Sequence, residues 1–144
     1  MSKRQDIITA LEARLQTITI ANGYNTDAGG RVFVWRTAQV EPAEAPCLLV
    51  EDTKLKRKYD TVMGQVHNRL HCAVLAVMVG QDDEAARVLE ADIIKCLGTW
   101  QTAGGLADRL LVVESDIAME PHGKIIGAAL SAVEVEYYTS ESQC

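Results

Sequence analysis

From Ile125 to Thr139 two kinds of side chain alternate along the chain, and that period of two decides what the segment can become. Leu130, Ala132, Glu134 and Glu136 fall on one side; Ala129, Ser131, Val133, Val135 and Tyr137 fall on the other. Successive side chains of a β-strand point to opposite faces, so the pattern predicts a long strand with one face buried and the other half-solvated. Four further segments supply sheet partners. Gln65 to Val79 reads as a second long strand that begins polar, with His67, Arg69 and His71, and ends apolar, with Val74, Leu75, Val77 and Met78. Its first half is expected to project beyond the core. Arg31 to Thr37 is rich in β-branched and aromatic residues, Cys47 to Glu51 reads as a strand buried on both faces, and Leu110 to Ile117 as a further strand. Turn-forming residues lie between them: Asn25 to Gly30, the proline-bearing Glu41 to Pro46, Gly80, Ala103-Gly104-Gly105, Gly123 and Gly127.

Two segments carry the helical period instead. Ser2 and Gln5 have capping-box spacing, and Ile7, Ile8, Leu11, Leu15 and Ile18 follow at helical intervals, which predicts a helix from Lys3 to Thr19. Asp82-Asp83-Glu84 places acid at the positive end of a second helix, Asp83 to Leu97, whose stripe includes Ala85, Val88, Leu89, Asp92, Ile93, Cys96 and Leu97. Gly98 suits its end. The order α-β-β-β-α-β-β favours an α+β fold: a mixed, mainly antiparallel sheet of about five strands with both helices on one face. Residues 1–144 are read as one domain. The polar tail, Ser140 to Cys144, is expected to fray.

A formal net charge of −6 argues against a protein that coats duplex nucleic acid, because such proteins gain affinity by neutralising phosphates. The N-terminal residues lack the apolar run of a signal peptide, and the longest apolar stretch, Cys72 to Val79, is far short of the roughly 18 residues that cross a bilayer. Both readings point to a protein inside a cell. Cys47, Cys72 and Cys96 are expected to be small core residues, and Cys144 an exposed thiol; no C-x-x-C pair suggests zinc or redox chemistry.

Potential sites are few. His67 and His71 would share a metal ion on a helix, but four residues along a strand span about 13 Å. His71 and Cys72 are adjacent in a strand, so they should leave the sheet on opposite faces and cannot meet as base and nucleophile. The glycines of Ala28-Gly29-Gly30-Arg31 and Gly104-Gly105 lack the spacing of phosphate-binding loops and read as turns. Glu51, Asp52, Glu114 and Asp116 flank strand ends without a motif for paired carboxylate chemistry. No catalytic residue, cofactor or metal is therefore expected, although a hidden hydrolase stays open. The sharpest local feature is Lys54-Leu55-Lys56-Arg57-Lys58-Tyr59-Asp60, expected to be a loop or hairpin tip. It is either a solvated loop or, through Lys54, Lys56, Arg57, Lys58 and Tyr59, a contact for a neighbouring subunit.

The layout as a whole resembles the tail terminator, or tail completion, proteins of long-tailed bacteriophages, the lambda minor tail protein U type. The resemblance rests on the N-terminal helix ending near Ile18, the Val32-Phe33-Val34-Trp35 and Ala45-Pro46-Cys47-Leu48-Leu49-Val50 strands, the charged segment, and the long strands around helix 2. It implies a virion protein, assembled in the host cytoplasm, that forms a homohexameric ring without catalysis. Such a ring caps the tail tube protein, stops tube growth and meets the head-tail connector protein, while DNA passes through without specific binding. A connector stopper, a tube subunit or a non-viral acidic adaptor are the alternatives.

Overall fold

The first helix begins where the sequence places it. Ser2 Oγ accepts from the Gln5 backbone N–H at 3.1 Å, although the Gln5 side chain turns to Thr9 rather than back to Ser2, so only half of the capping box forms. The computed structural model describes residues 2–36, 42–60, 64–79, 83–119 and 126–144. Helix α1 covers Lys3–Leu15 and α2 covers Asp83–Gly98. The strands are β1 (Val32–Val34), β2 (Cys47–Asp60), β3 (Gln65–Val79), β4 (Arg109–Met119) and β5 (Ile126–Ser140). Thr37, Glu41, Gly80, Asp82, Gly123 and Ile125, which entered the sequence boundaries and breaks, lie outside the described residues.

The five strands form one sheet in the order β1-β2-β3-β5-β4. β1 is parallel to β2, and every other neighbouring pair is antiparallel, so the sheet is mixed and mainly antiparallel. One hydrophobic cluster joins the stripes of both helices, Ile7, Leu11 and Leu15 with Leu89, Ile93 and Leu97, to one face of the sheet, where Leu48, Leu70, Val74, Val133 and Tyr137 point. That α+β architecture agrees with the sequence order. The alternation of β5 holds as read: Ala129, Ser131, Val133, Val135 and Tyr137 are buried, while Glu134 and Glu136 stand on the other face.

Four expectations need correction. Helix α1 stops at Leu15 rather than Thr19, because Gly29 approaches so closely that a Cβ there would overlap the Leu15 carbonyl and the Ile18 backbone; the Gly29 N–H donates to Ile18 O at 2.9 Å. β1 is confined to Val32–Val34 within the described residues, and Trp35 turns out of it with φ 53. The polar half of β3 does not project, since Val66, Asn68 and Leu70 are buried on the core side. The tail is not frayed: Arg57 Nη2 donates to the carbonyls of Ser140, Glu141 and Gln143 at 3.3, 3.1 and 2.8 Å, and Cys144 O accepts from the Arg4 backbone and the Tyr137 hydroxyl. Cys144 is accordingly half-buried, whereas Cys47, Cys72 and Cys96 are buried as expected.

Candidate functional site

The basic segment is not a loop. Lys54 to Asp60 is the second half of β2 and stays paired with β3 as far as Asp60 opposite Gln65. Charge density suggests a loop, but a strand tolerates it here because the apolar or anchored residues alternate with the lysines. Leu55 faces the core opposite Leu70, and Arg57 lies opposite Asn68, to whose Oδ1 its Nε donates at 3.2 Å. Lys54, Lys56 and Lys58 then share the opposite, helix-free face, where all three are exposed. Tyr59 is 54% exposed and lies under the Arg57 guanidinium, 5.5 Å from its ring centroid. The five predicted contact residues are thus brought together along one strand but divided between its faces.

The open face carries charge in columns. On β3, His71, Arg69 and His67 stand directly opposite Lys54, Lys56 and Lys58. Arg69 and Lys56 carry like charge in that relation and repel. The next column, on β5, relieves β3: Arg69 Nη2 meets Glu136 at 3.2 Å, His67 approaches Glu136 at 3.8 Å and His71 approaches Glu134 at 3.5 Å. Arg109 from β4 adds a further contact to Glu136 at 3.2 Å. Burial pushes the Glu136 carboxyl up, but the Arg109 hydrogen bond with the charges of Arg109, Arg69 and His67 outweighs it and leaves the pKa lowered. Two carboxylates therefore serve two arginines and two histidines, and nothing on this face neutralises the lysine row among the described residues. Lys56, Arg57, Lys58, His67 and Arg69 line a groove of about 300 Å³. Towards the other end the face becomes apolar, where Leu49, Ala73, Leu75 and Leu130 line a hollow of about 220 Å³ with Arg36 and Glu51 at its rim.

The remaining candidates separate. His67 and His71 turn to different carboxylates, and no group of three metal-ligating side chains occurs among the described residues. His71 Nε2 is buried without a hydrogen-bond partner there. Cys72 lies on the core face, its thiol pushed up to about 12 by burial, away from His71. Gly29 and Gly104-Gly105 sit in single 3₁₀ turns. Glu114 and Asp116 stand exposed on β4, while Asp52 is drawn into the protein.

Sequence reasoning missed three polar anchors. Asp52 accepts from Arg4 Nε and Trp35 Nε1, each at 2.6 Å, which joins α1 to the end of β1. Asp92 is 1% exposed in α2 and accepts from the Asn25 backbone, the Asn25 amide and the Thr26 hydroxyl at 3.1, 3.3 and 2.7 Å. A carboxylate inside an apolar stripe signals such a role, because an unsatisfied one would be too costly to bury. Asn68 is fully buried and donates to Thr139 Oγ1 at 2.8 Å. No helix among the described residues is long and apolar enough to cross a membrane. No protein-family model matches the chain, and no curated protein sequence matches it.

Proposed function

We propose that this chain is a self-assembling structural subunit of the tail-terminator kind, a ring that closes a phage tail tube and joins it to the head connector. The observation that carries the reading is the helix-free sheet face, where exposed Lys54, Lys56 and Lys58 form a row with no carboxylate partner among the described residues. A regular cationic row on an acidic protein suits the carboxylates of a neighbour, since complementary potentials select one docking register. The excess of negative charge elsewhere suits a ring through which DNA slides, because a cationic lumen would hold phosphates. The six-fold count, the virion location at the tail-head junction and the tube and connector partners come from the resemblance in layout.

Mass photometry and electron microscopy of the purified chain, alone and with tail tubes, test the proposal. Discrete rings of about six subunits in either sample are expected for closed heterologous assembly. Monomers in both samples would overturn it and favour an acidic adaptor.

A further inference from the structure

We infer that the free edge of β2, from Glu51 to Asp60, pairs with β4 of a second copy, so that the sheet continues across the subunit boundary. This rests on the self-assembly reading and names the surfaces that would carry it. β1 covers β2 only from Leu48 to Val50, whereas β3 accompanies β2 to Asp60. From Glu51 onward the other side of β2 has no backbone partner among the described residues. At the far margin β4 is outermost, and beyond the bond from the Leu110 N–H to Gln101 O its backbone bonds only to β5 among the described residues. Among the described residues each copy thus presents two open edges, and open strand edges are templates for pairing with another chain.

Direction and charge both fit these edges to each other. β2 is antiparallel to β3, β3 to β5, and β5 to β4, so β4 runs opposite to β2. A copy rotated about an axis lying along the strands brings its β4 beside β2 as an antiparallel neighbour. Glu114 and Asp116 are two residues apart, exposed on the same open face as the lysines and without an ion pair among the described residues. The lysines repeat at that same interval. With Glu114 opposite Lys58 and Asp116 opposite Lys56, Ile117 falls beside Leu55 on the core side, which gives its 37% exposed side chain an apolar neighbour. Such directly opposed charges attract across strands.

The same charges discourage the wrong pairings. Two β2 edges would set lysines against lysines, and two β4 edges would oppose carboxylates. Only the unlike edges match, which makes the contact heterologous and able to close into a ring.

Charge exchange in the full chain decides the matter, read by sedimentation with circular dichroism confirming the fold. Lys56→Glu with Lys58→Glu makes both edges acidic, and Glu114→Lys with Asp116→Lys makes both basic; each double variant should lose at least about tenfold in apparent association. Mixing the two, or combining all four substitutions in one chain, should restore assembly. Lys56→Cys with Asp116→Cys, in a Cys144→Ser background, should also form disulfides between copies in assembled protein. A wild-type chain that never assembles sinks the self-assembly reading itself. A wild-type chain that assembles, with double variants that assemble equally well or a fourfold variant that stays dissociated, overturns the edge pairing alone; absence of the disulfide in assembled protein does the same.

Discussion

Asp52 and Arg57 show how single residues tie the termini of this chain to its sheet. Burial pushes the Asp52 carboxyl up, but the bonds from Trp35 and Arg4 outweigh burial and hold it below the ordinary value of 3.8. A carboxylate with a depressed folded pKa contributes stability that is complete above the unfolded pKa and is lost as pH falls through the folded one. The loss therefore belongs below about pH 4. Asp52→Asn, which keeps an acceptor for Trp35 but removes the ion pair with Arg4, should cost about 1–2 kcal/mol at neutral pH. It should also flatten the decline towards about pH 3, as urea unfolding at the two pH values would show. Arg57 behaves differently from its lysine neighbours, since its guanidinium binds Asn68 and three tail carbonyls. Arg57→Ala should destabilise by about 1–2 kcal/mol and release residues 141–144 to proteolysis, whereas Lys56→Ala should change stability by less than about 0.5 kcal/mol. Equal effects at both positions would show that the tail is not held in this way.

At the scale of elements, the second half of β2 is the informative case. A strand paired on one side only offers every second N–H to its partner and leaves the others to water. Amide exchange followed by NMR should therefore alternate along Lys54 to Asp60, with protected and fast-exchanging positions interleaved at a period of two. Uniformly fast exchange would restore the loop that charge density suggested. Assembly through this edge should protect the fast set. β3 makes the complementary point, because its polar first half is long enough to bury Asn68 beneath Arg57 and Thr139 rather than to extend into solvent.

For the molecule as a whole, association through a row of lysines should weaken with ionic strength. Raising salt from about 0.05 to about 0.5 M shortens the screening length severalfold and should shift rings towards monomers without changing the circular dichroism spectrum. Rings that tolerate that change would point to an apolar contact, for which the hollow at Leu49, Leu75 and Leu130 is the place to look. Much of this architecture was legible in local pattern. The period of two in β5, the helical stripes of α1 and α2 and the cap at Ser2 all follow from side chains close in sequence, so one reading frame sufficed to identify them. What lay beyond that frame depends on contacts between distant residues. Gly29 ends α1 by packing on Leu15 and Ile18, Leu70 and Asn68 make a strand of the lysine run, and Arg4, Arg57 and Tyr137 hold the tail. The sequence alone determined which segments alternate and which coil; only the tertiary structure decided where they stop and which charges remain unpaired, because both depend on partners that folding brings from elsewhere in the chain.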